Sequence, residues 1–423
     1  MQISAEILKQ TLADQHSAFL KKPTGIEREI LSSIKTKIKL PHVHVITGIR
    51  RCGKSTLLRQ IASKFYNDQD FYYINFESER LLNFKAAEFN RVFETLQELF
   101  GDKNVFLIDE IQNVENFEYF VRRLNDEGYK FYITGSNASL LSREIGSRLT
   151  GRHIDSVLTP FTFAEFIEFK GIHIKNEDLY LTKNRARIKK YFSEYLTNGG
   201  MPEYITFGDD EILHRIYEDI IFKDIAVRHG IYNIKQLKET YSYLITNFCR
   251  KFSYTSLKKN IKLGSVTTAI NYVQYIEQSH FLALINKFDF SLKKQIANEK
   301  KPYIIDNGFV SNIALKLTQD KGWLLENIVF NHLNRKYKVF YFNSKNECDF
   351  LIMEKNEIKA AYQVCNHVSD ENRNREMAGL TEAMQHFGLK KGFFLTFDQE
   401  EEIKIGRNKI TILPLWKWLL NTN

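Results

Sequence analysis

The stretch from His42 to Gln60 limits what this chain can fold into more than any other. An apolar, β-branched run, Val43-His44-Val45-Ile46-Thr47, enters Gly48-Ile49-Arg50-Arg51-Cys52-Gly53-Lys54-Ser55-Thr56. The helix-forming Leu57-Leu58-Arg59-Gln60 leaves it. Strand, G-x-x-x-x-G-K-[ST], helix is the pattern of a phosphate-binding loop. Gly48 and Gly53 let the backbone bend until its N–H groups face phosphate oxygens. Arg51 and Cys52 complete the loop whose amides cradle the anion. The following helix aims its positive end at the same place. Lys54 is placed for the β- and γ-phosphates, Ser55 for Mg²⁺, and Thr56 adds a hydroxyl. The expected ligands are therefore ATP and Mg²⁺.

The rest of the composition narrows the setting. The chain has 423 residues and a net charge of +9. That surplus suits nucleic acid or an anionic membrane without choosing between them. No run of about eighteen apolar residues occurs, so no transmembrane helix is expected. Residues 1–10 lack a charged segment leading into an apolar one, so no secretory signal is expected and the cytoplasm is the default. Cys52, Cys249, Cys348 and Cys365 form no C-x-x-C pair, which argues against zinc ribbons and a disulfide framework.

Read in order, the first half alternates helices and strands. Ile26, Ile30, Ile34 and Ile38 recur every four residues and predict an amphipathic helical lead-in. A second strand is expected over 71–76 and a helix over about 87–100. Asn104-Val105-Phe106-Leu107-Ile108-Asp109-Glu110 reads as a Walker B strand. It would deliver Asp109 to Mg²⁺ and set Glu110 one residue on, to orient or deprotonate water. The next strand, 129–134, runs into Gly135-Ser136-Asn137-Ala138. Ser136 and Asn137 are placed either to touch the γ-phosphate or lytic water, or to cap the next helix. Arg148 and Arg152 precede a strand over 153–157. They are candidates for a finger that reaches a neighbouring subunit's nucleotide, or are ordinary surface arginines. This alternation predicts an α/β fold with a parallel sheet.

The chain resembles the prokaryotic ATP-binding proteins that join an AAA+ module to a C-terminal domain of unknown function. The resemblance rests on the P-loop, on Asp109-Glu110-Ile111-Gln112 and on Thr134-Gly135-Ser136-Asn137-Ala138. It extends through Leu158-Thr159-Pro160-Phe161-Thr162-Phe163-Ala164-Glu165-Phe166 and Asn198-Gly199-Gly200-Met201-Pro202-Glu203. It ends with Ile305-Asp306-Asn307-Gly308 and Leu325-Glu326-Asn327-Ile328-Val329-Phe330. It implies an AAA+ P-loop NTPase with a helical lid, a winged-helix segment and a restriction-endonuclease-like core.

The corresponding domains are 1–170 for the ATPase core and 171–232 for the lid. Residues 233–298 are expected as a winged helix-turn-helix and 299–423 as the endonuclease-like domain. In the winged segment the recognition helix would start near Thr267, with Lys258, Lys259 and Lys262 near phosphates and Phe281–Ile285 as the wing strand. A packing module without nucleic acid is the alternative. In the last domain Asp349 stands ahead of a strand, where a nuclease wants an acid. Gln363-Val364-Cys365 replaces the expected Glu-x-Lys. An amide is a poor Mg²⁺ ligand, so a nuclease-like fold without cleavage is expected. The reading is an Mg²⁺-dependent ATPase, a homo-oligomer such as a hexamer. It would couple hydrolysis to binding or remodelling of duplex or branched DNA. The alternative is a signalling or defence switch that oligomerises on nucleotide and binds a protein partner.

Overall fold

The computed structural model describes residues 3–136, 151–174, 176–179, 181–314, 321–406 and 408–421. They form two compact units, 1–159 with 278–280, and 160–277 with 281–423. No helix among the described residues is long and apolar enough to cross a membrane.

The first unit is built on five parallel strands: β1 (Val43–Thr47), β2 (Phe71–Asn75), β3 (Val105–Asp109), β4 (Lys130–Gly135) and β5 (His153–Val157). Their spatial order is β2-β3-β4-β1-β5. The parallel α/β expectation holds, and β4 lies between the P-loop strand and the Asp109 strand. β1, β2 and β3 read as near-continuous apolar runs because helices cover both faces of a parallel sheet. Aromatic stacking fills one side: Phe106 lies on Phe131 at 4.9 Å and Phe89 on Phe120 at 4.4 Å.

The expected lead-in helix is two helices, α1 (Ala5–Lys21) and α2 (Ile30–Lys37). Thr24 and Ile26 give their carbonyls to Gln60, so the chain between the helices is strapped down rather than helical. Ile34 is buried and the other three isoleucines of the stripe are half-buried. α3 (Lys54–Phe65) follows the P-loop, then α4 (Phe89–Phe100) and α5 (Phe117–Asp126).

The second unit begins with helices and ends on an eight-stranded sheet, ordered β12-β13-β11-β10-β9-β8-β6-β7. Its strands are β6 (Leu282–Lys287), β7 (Lys300–Ile304), β8 (Lys338–Asn343), β9 (Glu347–Glu354), β10 (Glu357–Val364), β11 (Lys391–Thr396), β12 (Glu401–Ile405) and β13 (Asn408–Pro414). One sequence expectation needs correction here: Asp349 lies inside β9 rather than ahead of a strand. The strand expected over 281–285 is β6, which pairs with β7 on one side and β8 on the other. The boundary expected at 298/299 lies between β6 and β7.

Three motifs of the second half meet in one buried polar knot. Asp306 Oδ2 accepts the Gly200 N–H at 2.5 Å and Oδ1 accepts the Gly308 N–H at 2.8 Å. Asn307 Nδ2 donates to the Leu196 and Leu324 carbonyls at 2.8 and 3.0 Å. Asn327 pairs with both backbone groups of Ile304. Glycine is required at this crossing. Gly199 has φ +71°, and a Cβ there would lie 1.8 Å from Asp306 Oδ1.

Candidate active site

The P-loop sits between β1 and α3 near the middle of the sheet. Gly48 has φ +155°, and a Cβ there would lie 2.2 Å from the Leu158 carbonyl oxygen. The loop can pass that close only as glycine. Arg51 at φ +63° and Gly53 at φ +101° complete the turn into α3. Lys54 is 5% exposed, with Nζ 3.2 Å from the Gly48 carbonyl and 3.3 Å from that of Ile49. Ser55 and Thr56 follow in the first turn of α3, both half-buried. Cys52 turns inward, its Sγ 3.4 Å from the Leu158 carbonyl, and burial pushes its thiol pKa up. Its side chain is thus part of the core, and only its backbone faces the loop.

A residue that no motif points to holds this loop. Arg28 is buried and donates to the Cys52 carbonyl at 3.0 Å and the Thr159 carbonyl at 2.6 Å. Its own N–H goes to Gln60 Oε1 at 3.3 Å. The guanidinium clamps the P-loop to the segment after β5. Nothing local in the sequence separates Arg28 from a surface arginine.

The acidic side comes from β3. Asp109 is 1% exposed. It accepts hydrogen bonds from Tyr73 at 3.3 Å and from Thr134, and bonds with Ser55. Burial raises its pKa, and the Glu110 carboxylate beside it raises it further. A divalent cation would favour the ionised form. Glu110 takes φ +51°, a region that side chains other than glycine occupy at a cost of about 1–3 kcal/mol. Thr134 Oγ1 accepts the Glu110 N–H at 3.0 Å. Glu110 Oε1 lies 3.6 Å from Lys54 Nζ, and Oε2 accepts from Gln112.

Lys54, Ser55, Asp109, Glu110 and Ser136 thus converge at the carboxyl ends of β1, β3 and β4. One hydroxyl and one carboxylate in contact form a hard-oxygen pair that fits Mg²⁺, which usually takes few protein ligands and completes its shell with water and phosphate. Among the described residues no cluster of three or more His, Cys, Asp or Glu could hold a metal by itself. Asn137 and Arg148 lie outside the described residues. Arg152 precedes β5, and its carbonyl accepts the Val43 N–H at the start of β1, the end of the strand opposite the P-loop. Its guanidinium, about half exposed, pairs with Asp126.

The second unit contains a cavity of about 640 Å³ lined by Lys301, Glu326, Glu347, Asp349, Gln363 and Cys365, among others. Lys301 is the residue the sequence reading missed there. Its Nζ lies 2.6 Å from Glu347, 3.3 Å from Glu326 and 3.8 Å from Asp349. Burial alone would lower its pKa, but the three carboxylates outweigh that and raise it. Its position on β7, far in sequence from Glu347 and Asp349, gave no spacing signal.

Residues 41–167 match the AAA domain family, and residues 189–321 match a domain of unknown function, DUF8612. The uncharacterized protein MJ1544 of Methanocaldococcus jannaschii is 36% identical over 99% of this chain and 96% of its own. An uncharacterized Haemophilus influenzae protein is 30% identical over 75% of this chain and 80% of its own. Solved structures with partial similarity include the Aeropyrum pernix ORC1 protein in complex with DNA. It is 11% identical over 70% of this chain and 94% of its own, with a TM-score of 0.31. AMPPCP-bound DnaA from Aquifex aeolicus is 13% identical over 62% and 93%, with a TM-score of 0.26. Similarity that low says nothing about what this chain binds. The relation to the Methanocaldococcus protein runs the length of both chains, so this protein belongs to that protein's family and carries in it an AAA-type P-loop domain followed by a domain of unknown function.

Proposed function

We propose that the protein is an Mg²⁺-dependent ATPase of the AAA+ class. The observation that carries this is the contact between Ser55 and Asp109 beside the buried Lys54. In this reading Lys54 and the amides of Gly48–Thr56 bind the phosphates, and Ser55 and Asp109 would hold Mg²⁺, which would supply neutralising charge to the phosphates. Glu110 orients a water whose oxygen bonds to the γ-phosphorus as the bond to the β–γ bridging oxygen breaks. The water's proton passes to Glu110, and ADP leaves with the electron pair. Direct measurement of turnover tests it. Lys54→Ala should abolish nucleotide binding, and Glu110→Gln should hold ATP without hydrolysing it. Equal turnover in the Glu110→Gln protein would remove that residue from the mechanism.

The finer parts of the reading are proposals too. Oligomers would form so that Arg152 or Arg148 reaches a neighbour's nucleotide. DNA would be the partner, supported by the +9 charge. The helices Ile234–Thr246, Tyr254–Ile261 and Val266–Gln278 followed by β6 support a winged-helix reading, with Lys258, Lys259 and Lys262 on or just after the middle helix. A steep loss of DNA affinity with salt, together with DNA-stimulated ATPase, would support it. ATPase indifferent to duplex, single-stranded and forked DNA would favour a protein-triggered switch. Four free cysteines suit a reducing cytoplasm.

For the second unit we retain an endonuclease-like core that does not cut. Gln363 stands where a carboxylate is wanted, and burial, aided by Glu376 and Asp349, pushes the Cys365 thiol up to about 12. Lys301 does supply an ammonium, but with its pKa raised it cannot take a proton from water near neutrality. DNA cleavage with Mg²⁺ or Mn²⁺ that Asp349→Ala abolishes would overturn this.

A further inference from the structure

We infer that Gln112 is a positioning residue for hydrolysis, tying the Glu110 carboxylate to Ser136 at the end of β4. The inference rests on the ATPase reading above. Gln112 lies in a short 3₁₀ turn, Ile111–Asn113, directly after Glu110. Its Nε2 donates to Glu110 Oε2 and lies 3.4 Å from Ser136 Oγ. Its Oε1 is buried and has no hydrogen-bond partner among the described residues.

Three features make this more than a chance contact. First, Glu110 is held in a left-handed backbone conformation, φ +51°, which turns the chain sharply and brings residue 112 back over the Glu110 carboxylate. Second, both ends of the Glu110 residue are tied to β4: the backbone N–H to Thr134, and the carboxylate to Ser136 through Gln112. Third, a buried amide oxygen without a donor among the described residues is unfavourable and is a place where a water or substrate hydroxyl gains a hydrogen bond. A water bound there would lie beside the Glu110 carboxylate. The amide side chain suits this role because it donates to the carboxylate and accepts from water at once.

Nucleotide does not touch Gln112 in this scheme, so its loss should spare binding. Gln112→Ala is expected to lower kcat about 10- to 100-fold while the KM for ATP changes less than about twofold, the pattern of a lost transition-state contact. Gln112→Glu removes the amide donor and sets a second carboxylate beside Glu110, so it should lower kcat at least as far as Gln112→Ala does, with KM again nearly unchanged. A merely structural role would not confine the loss to kcat. Ser136→Ala combined with Gln112→Ala should cost less than the product of the two single losses, because both act on one contact. Turnover that depends on Lys54 but is unchanged by Gln112→Ala, or KM rising in step with the loss of kcat, overturns this inference alone. Absence of any Lys54-dependent turnover in the unmodified protein overturns the ATPase reading itself.

Discussion

Asp306 reaches across 106 residues of sequence to accept the backbone N–H of Gly200 at 2.5 Å. Its second oxygen takes the N–H of Gly308. Burial pushes its pKa up to about 7, against the pull of those two donors. The knot is therefore held by a carboxylate that gives up hydration for two backbone bonds.

Replacing it tests both features. Asp306→Asn keeps one acceptor oxygen, so one of the two buried N–H groups loses its partner, at a cost of about 1–3 kcal/mol. The pH dependence has a definite sign. A carboxyl whose folded pKa lies above its unfolded value binds protons more tightly when folded. Its unfavourable contribution shrinks as pH falls through about 7 towards the unfolded value of 3.8. The stability of the unmodified protein minus that of Asp306→Asn should grow between pH 8 and pH 5. Urea unfolding at both pH values measures it, and a flat difference would show that Asp306 is ionised in both states.

Gly48 makes a separate prediction about the loop. Alanine there meets the Leu158 carbonyl at 2.2 Å and must hold φ near +155°. The loop would have to lift off its support, losing about 1–3 kcal/mol of arrangement. Gly48→Ala should weaken nucleotide binding about 10- to 100-fold by calorimetry. Nucleotide binding unchanged in Gly48→Ala would show that the loop accommodates the side chain without moving.

Lys301→Met removes the ammonium shared by Glu326, Glu347 and Asp349. Breaking a buried ion pair from one side costs about 3–5 kcal/mol. Burial already holds the Glu326 and Asp349 carboxyls above their usual range. Without the ammonium they would stay protonated to still higher pH. The loss in thermal or urea stability should therefore be largest near pH 8 and smaller near pH 5. Equal losses at both would mean that the Glu326 and Asp349 carboxyls do not change protonation between pH 5 and pH 8.

What the sequence disclosed follows from how locally each feature is encoded. The P-loop and the Asp109 strand are contiguous, so strand, turn and ligand types could be read from one short window. Tyr73, Thr134 and Ser55 meet Asp109 from other elements; Ser55 and Thr134 stood in motifs, but only Ser55 was given a role there. Arg28 and Lys301 are isolated basic residues whose roles arise from burial, which periodicity does not report. The strand over 281–285 was legible for the same local reason as the P-loop, but its pairing with β8, more than fifty residues later, was not, because that contact is not local. Asp306 belonged to a recognised motif, yet its partner Gly200 lay in another, and no spacing rule connects the two.

Arg152 raises a question that one mixing experiment answers. Its backbone lies at the end of β1 opposite the P-loop, and its side chain pairs with Asp126 instead of with the nucleotide site of its own unit. A strand of five residues spans about 16 Å, farther than an arginine side chain reaches, so Arg152 cannot serve the phosphates beside Lys54 in its own chain. If it acts at all in hydrolysis, it acts on a neighbouring copy. Arg152→Ala protein and Lys54→Ala protein should each be inactive alone. Mixed, some interfaces pair an intact P-loop with an intact arginine, and turnover should return to roughly a quarter of the unmodified rate at equal proportions, since a random interface has each intact half with probability one-half. Activity that stays absent on mixing, although sedimentation shows mixed oligomers, would exclude Arg152 as the residue that completes a neighbour's site. Full activity of Arg152→Ala alone would reduce its ion pair with Asp126 to an ordinary surface contact worth about 0–1 kcal/mol.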